Sequence, residues 1–483
     1  MITMLALCAL LPHQTAPRVP LPDAPPARFD RGRATATTLR LVRALVAIDS
    51  TNPPGRERAV AEAIAAALPA DSGFECVIHD VPGYEADGRA NLTARLRAKN
   101  ATARPLLLLG HMDVVGADAA RWSSEPFVPT EVDGWLQGRG VMDDKGPLAA
   151  TVAALLELAG QRDRLERDVI LLATAAEEGG PEVGIDWMVE HHRELFGDAE
   201  FALNEGGRVR LRDGRVATVN LQTTEKVYHE VRVTAQGSGG HGSVPLRDNA
   251  IAALARAVAR VHDWRAPLSL NETTRAYFQR LATIEPDREL AAAMRAIGSD
   301  DPKARARAEA DAYVDPLHDA LLRSGPSLSM FGGGFRANVI PPEATAVFNL
   351  RTVPGDDARA IVAEMARVAA EDSVTFELTD EPGSAPPPSP VDSALFRSLE
   401  AASHAMAPTA VVLPFMSTGA TDGAALRAIG IPTYGILPFP LDTEDELRMH
   451  GDDERVPLAS FAWGTEFLYR TIAGVTLPAE ADR

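Results

Sequence analysis

Cysteine is almost missing from this 483-residue chain, which has only Cys8 and Cys76. Two isolated cysteines exclude a disulfide framework and the Cys-x-x-Cys spacing of a thiolate zinc site. Any metal must therefore be held by imidazole and carboxylate. Basic charge is also in deficit: 48 Lys and Arg stand against 67 Asp and Glu, a formal charge of −19. Such a surface repels phosphate backbones and anionic lipid, so no nucleic-acid partner is expected. No apolar run reaches the roughly 18 residues that read as a membrane span. The hydrophobic fraction of 46% is that of a globular chain, and its length suits two domains or one domain carrying an insertion.

The chain opens on MITMLALCALL, apolar but without a preceding basic residue, followed by the proline-rich HQTAPRVPLPDAPPARFD. Residues 1–32 read as a weak export signal and spacer, which favours a periplasmic or secreted destination over a cytoplasmic one. Leu7 stands before Cys8 where a lipoprotein signal needs a small residue, so lipidation is not expected.

From Thr37 the pattern turns helical, with TLRLVRALVAI and RAVAEAIAAAL on either side of the turn DSTNPPG. RPLLLLGHMD and RDVILLATAAEE are apolar runs of strand length ending at polar residues, and VMDDKGPLAATVAALLELA between them passes from loop to helix. Strand, helix, strand is a βαβ unit of a sheet buried on both faces, whose ligands sit beyond the carboxyl ends of the strands. After LNEGG, alternation in VYHEVRVTAQ and TAVFNLRTV, with the amphipathic NAIAALARAVARV and ARAIVAEMARVAA, indicates a smaller α+β layer. Within it, DREL to DAYV reads as extra solvated helices. The expected division is a catalytic α/β domain built from residues 33–223 and 383–483, with a second domain, 224–382, inserted between them.

The polar residues expected at strand ends form a series: His111 and Asp113 in GHMDVV, Asp143 in GRGVMDDKG, Glu177 and Glu178 in AAEEGG, Glu205 in LNEGG, and His450 in RMHGDDERV. Singly, each acid is an ordinary cap or turn residue. Together they supply what zinc and similar divalent ions accept, with few enough protein ligands to leave a position for water. Two adjacent carboxylates are tolerated if a cation neutralises one while the other handles protons, so Glu178 is expected to face metal and Glu177 the water. Two metals about 3.5–4 Å apart, bridged by a carboxylate and a hydroxide, would generate a nucleophile and polarise a carbonyl.

In this order, GHMDVV, WSSEPF, GRGVMDDKG, ATAAEEGG, NEGG, GGHGSVP, NVIPPEATAVFNLRTVPG, TGATDG and the late histidine resemble the M20 family of di-zinc aminoacylases, carboxypeptidases and dipeptidases, over about Asp49 to Val456. The resemblance implies a mixed-sheet α/β catalytic domain of di-zinc exopeptidase type, with an inserted α+β, ferredoxin-like lid and dimerisation domain. It implies two Zn2+ ions, with Co2+ or Mn2+ as substitutes. His111 and Glu205 would hold one, Glu178 and His450 the other, and Asp143 would bridge them. Glu177 would be the general base and Asp113 would orient His111. His241 in GSGGHGSVP would donate to the oxyanion, from the partner subunit in dimeric members. Arg351, Asn338 and Gly419 would bind the substrate's carboxylate or polarise its carbonyl. The implied reaction is hydrolysis of an amide beside a free carboxylate, in a small peptide or N-acyl amino acid, by attack of a metal-bridging hydroxide. Asn204 stands where relatives often have Asp, and about 65 additional residues before NVIPPEA resemble the larger carboxypeptidase S-like branch. Two rival readings are a serine hydrolase using Ser238 or Ser243, although no Gly-x-Ser-x-Gly elbow is present, and a non-catalytic binding protein on the same scaffold.

Overall fold

The structure is a computed structural model describing residues 15–297, 299, 301–312, 315–379 and 385–478. The apolar run expected as an export signal, and residues 380–384 around the start of the proline-rich linker, lie outside the described residues. No helix among those described is long and apolar enough to cross a membrane.

Apart from short ribbons, the strands in chain order are β1 (Phe74–Asp80), β2 (Ala90–Leu96), β3 (Leu106–His111), β4 (Val169–Thr174), β5 (Phe201–Arg212) and β6 (Arg215–Glu225), then β7 (Val227–Gln236), β8 (Gly325–Gly333), β9 (Glu343–Thr352) and β10 (Val374–Leu378), and finally β11 (Val411–Ser417) and β12 (Thr433–Leu441). Among the described residues they form an eight-stranded mixed sheet, ordered β1-β2-β4-β3-β5-β12-β6-β11, and a four-stranded sheet, ordered β8-β9-β7-β10. In the large sheet β4, β3, β5 and β12 run parallel, so their carboxyl ends open on one edge. The second sheet is antiparallel throughout.

The continuous apolar runs are explained by burial on both faces. Leu106, Leu108, Val169 and Leu171 face a core shared with helices Arg31–Val46, Lys145–Ala159 and Leu458–Thr476. Their neighbours Leu107, Leu109, Ile170 and Leu172 face the opposite layer, against Ile185, Met188 and Phe196. The second sheet has its own core, in which Val231, Val233 and Phe348 pack on helices Ala250–Asp263 and Ala358–Ala369.

Two features go beyond the sequence reading. β5 runs past LNEGG to Arg212 and returns as β6, a hairpin not read within the span 33–223. The signal was Asp213-Gly214: both have positive φ, 54° and 72°, the requirement of a two-residue hairpin turn that matches strand twist. The inserted helices are also more than solvated decoration. Within DREL to DAYV, Ala293, Met294, Ile297 and Ala308 are buried in a cluster with Tyr277 and Phe278 of the preceding helix and with Leu413, Phe415 and Met416, so the insertion packs on β11, the edge strand of the large sheet.

Candidate active site

The site is assembled at the carboxyl ends of β3 and β4 and at the register slip inside β5. His111 ends β3, in register with Thr174 at the end of β4; Glu177 and Glu178 lie in the turn that follows. Asp143 comes from the loop leading into helix Lys145–Ala159, and His450 from a turn 307 residues further on. Glu205 lies within β5 where its pairing with β12 slips register. Gly206, at φ 118°, turns the chain there. A Cβ on Gly207 would stand 2.2 Å from the Asn220 carbonyl oxygen, so the two glycines of NEGG admit the close approach of β6 and β12.

Asp143 is the hub. His111 Nε2 lies 2.9 Å from its Oδ1, and His450 Nε2 lies 3.0 Å from its Oδ2. His450 Nε2 is also 3.0 Å from Glu178 Oε1. Ligand atoms of His111, Asp143 and Glu178 all lie within 4.8 Å of one another, a mixed imidazole–carboxylate set of the kind divalent ions accept. Glu205 is not in that tightest group but lines the same cavity, of about 660 Å³, together with Asp143, Glu177, Glu178, Arg351, Gly419 and His450.

Asp113 supports the cluster from beneath. His111 Nδ1 is 3.0 Å from the Asp113 carbonyl oxygen, which leaves Nε2 facing the site, as expected where a backbone acceptor sets the tautomer. The Asp113 carboxylate accepts from the backbone amides of both Glu177 and Glu178 at 3.1 Å, and from Asn52 Nδ2 at 2.8 Å. Arg89 reaches Asn52 Oδ1 and Glu57 Oε1, at 2.6 and 2.7 Å. The paired glutamates are thus held through their main chain while their side chains face the cavity. Asn52, in DSTNPPG, had been read only as part of a turn.

The electrostatics are those of a concentrated acid cluster. Burial raises Glu177 well above the usual carboxylate range, with His111 pulling it back and Glu205, Asp422 and Asp143 adding to the rise. Burial and then Asp143 push Glu205 up to about 8. For Asp143 burial acts in the same sense, but hydrogen bonds from His111 and His450 win and hold it well below its ordinary value. Contacts with Asp143 and then Glu178 push His450 up to about 10. Burial pushes Asp422 up to about 7, against the hydrogen bond it accepts from Thr174 Oγ1 at 2.6 Å, which lowers it. Of TGATDG the sequence reading used only Gly419; the cavity is lined by Asp422 as well, and by Asp186 and Glu225, which no motif had marked.

The substrate-binding expectations divide. Arg351 lines the cavity, over the Tyr228 ring at 4.9 Å, with its Nε bonded to Asn349 Oδ1 at 3.0 Å and its Nη1 buried without a hydrogen-bond partner among the described residues. His241 and Asn338 do not line the cavity. Both are exposed on a ribbon that pairs Gly240–His241 with Val339–Ile340. His241 Nδ1 meets Ser243 Oγ at 2.8 Å, a Ser–His contact away from the cavity. Ser238 is exposed as well, so the serine-hydrolase reading is not favoured.

Comparison with known proteins agrees with this geometry. Residues 107–474 match the model of peptidase family M20/M25/M40. The chain is 29% identical over 377 residues to the probable carboxypeptidase S-like 2 of Dictyostelium discoideum, covering 76% of this chain and 71% of that protein. It is 25% identical to the human N-fatty-acyl-amino acid synthase/hydrolase PM20D1, covering 78% and 75%. The crystal structure of the M20 family metallo-carboxypeptidase Sso-CP2 from Sulfolobus solfataricus has the same fold, with a TM-score of 0.66 over 90% of this chain and 98% of that one, at 18% identity. With the family's model running from within β3 through β12, and so covering the insertion and every acid and histidine of the cluster, the chain belongs to the M20/M25/M40 family and is a metallopeptidase or aminoacylase-type hydrolase.

Proposed function

We propose that the protein hydrolyses an amide bond beside a free carboxylate, in small peptides or N-acyl amino acids, with two divalent ions, zinc first among them. The observation that carries this reading is Asp143, whose two carboxylate oxygens face different histidines at 2.9 and 3.0 Å. His111 and Glu205 would hold one ion, Glu178 and His450 the other, and Asp143 would join them. The donor set fits: neutral imidazole nitrogens and carboxylates, with cysteine absent, suit zinc in a catalytic rather than a closed structural site. When bound, the ions polarise the scissile carbonyl and acidify water.

The chain's own groups supply the rest. Glu177, half-buried at the cavity wall, has the raised proton affinity of a general base, and nearby cations would lower it again. It takes a proton from water and returns it to the leaving amine. Arg351 offers an unpartnered, buried Nη1, and a planar guanidinium suits a carboxylate. Gly419 borders the same space. A single copy leaves His241 and Asn338 outside, so we assign them to a neighbouring site in a homodimer formed through the inserted domain. Its edge strand β8 exposes Met330 and Phe331, and Phe335 follows, 78% exposed.

The test is a panel of dipeptides and N-acyl amino acids, each with its carboxamide counterpart, offered to metal-loaded protein. Acids should be cleaved and amides largely spared. Arg351→Ala should cost acids about 10- to 100-fold in kcat/KM, the worth of a charge-assisted hydrogen bond. Equal turnover of acids and amides by the wild type would remove the carboxylate requirement.

A further inference from the structure

Asp143 and His450 must stand a fixed distance apart, yet they occupy two loops separated by 307 residues. His450 is half-exposed in its turn, with φ at 60°. Four positions after it, in the same HGDDERV motif, the side chain of Glu454 is buried to 1% exposure. Its carboxylate turns back onto the Asp143 loop. Oε2 accepts from Arg139 Nη1 at 2.7 Å and from the Gly140 amide at 3.0 Å. Oε1 accepts from the amides of Met142 at 2.7 Å and Asp143 at 3.2 Å. Arg139, equally buried, donates through Nη2 to the Gly451 carbonyl at 2.9 Å, so it grips the His450 turn from the opposite side. Its guanidinium lies over the Trp122 ring, 5.1 Å from the centroid. The loop backbones are tied as well: the Gly138 amide donates to the Glu454 carbonyl at 3.0 Å.

We propose that Glu454 and Arg139 are positioning residues that lock the His450 turn to the Asp143 loop and so set the affinity for the ion His450 holds. Neither side chain lines the cavity, and neither is a ligand. Four donors on one carboxylate fix the course of Gly140–Asp143, and the Arg139 bridge to Gly451 fixes the turn that presents the imidazole. Outer partners of metal ligands of this kind are worth about 10- to 100-fold in metal affinity. The inference rests on Asp143 and His450 being ligands, as proposed above.

The experiment is calorimetric titration of zinc into chelator-stripped, full-length protein, wild type beside Glu454→Gln and Arg139→Lys, with circular dichroism and thermal unfolding of each ion-free form. Wild type should take up two ions. Each variant should keep its fold and one ion of near-wild-type affinity, and bind the other about 10- to 100-fold more weakly. Excess zinc should then restore most of kcat with KM unchanged. If a variant unfolds at a lower temperature but binds both ions as wild type does, the pair serves stability alone and the inference is overturned. Should Glu454→Gln fail to fold, Arg139→Lys decides by the same reading. A wild type that binds no ion contradicts the ligand assignment itself.

Discussion

Two histidines of this chain sit in glycine-flanked motifs of similar appearance, GHMD on the large sheet and GGHGS on the inserted ribbon, and the structure treats them oppositely. His111 is 2% exposed, fixed through Nδ1 by the Asp113 carbonyl and directed through Nε2 at Asp143. His241 is exposed, and among the described residues its ring meets Ser243 of its own turn. The contrast separates two kinds of chemistry. A metal ligand works best when packing and outer hydrogen bonds already hold it in a productive geometry. A group that stabilises a transient oxyanion need only be present at the moment of reaction, and can be delivered by closure or by a second copy.

The sharpest way to break the comparison is on the buried side. Glu177→Gln should lower kcat by about 10²- to 10⁴-fold, the usual contribution of a general base, while zinc stoichiometry stays at the wild-type value. Near-wild-type turnover with both ions bound would take the base away from Glu177. On the exposed side, His241→Ala should cost about 10²- to 10³-fold in kcat, the worth of one oxyanion donor, and mixing it with Glu177→Gln should restore activity as hybrid dimers form. Light scattering that finds a fully active monomer would end the case for donation between subunits.

A smaller effect sharpens the electrostatic side. In the ion-free chain His450 is raised to about 10, whereas an unfolded histidine titrates near 6.5. Its protonation therefore stabilises the ion-free fold fully below about pH 6.5, and that stability is lost as pH climbs through about 10. Ion uptake must displace this proton. From the His450 proton alone, apparent zinc affinity should rise by up to about tenfold per pH unit between roughly 6.5 and 8, and Glu205, raised to about 8, adds to that slope, with proton release measurable by calorimetry in buffers of different ionisation enthalpy. An affinity flat over that interval would mean that His450 is not a ligand.

The buried side was also the more legible one in the sequence. The runs ending at His111 and before Glu177 announced strands buried on both faces, and acids with histidines at their ends announced a metal centre. What escaped was long-range partnership. Nothing near Glu454 says that its carboxylate will cap the Gly140–Asp143 loop, and nothing near Asp186 or Glu225 says that they will border the cavity, because those contacts exist only once distant segments have folded together. The inserted helices were misjudged for a related reason. Ala293 and Met294 lie on one short amphipathic helix, and only the apolar residues of β11 and of the preceding helix show what that face covers. The hairpin at Asp213-Gly214 was readable and went unread, its two positive-φ positions being a local signal.

The central claim is that Asp143 stands between two ions, His111 on one side and His450 on the other. Anomalous diffraction from zinc-loaded crystals measures this directly. The account predicts two peaks about 3.5–4 Å apart, with one Asp143 oxygen toward each and the two histidines on opposite peaks. A single peak, or two peaks of which neither lies beside His450, would contradict it.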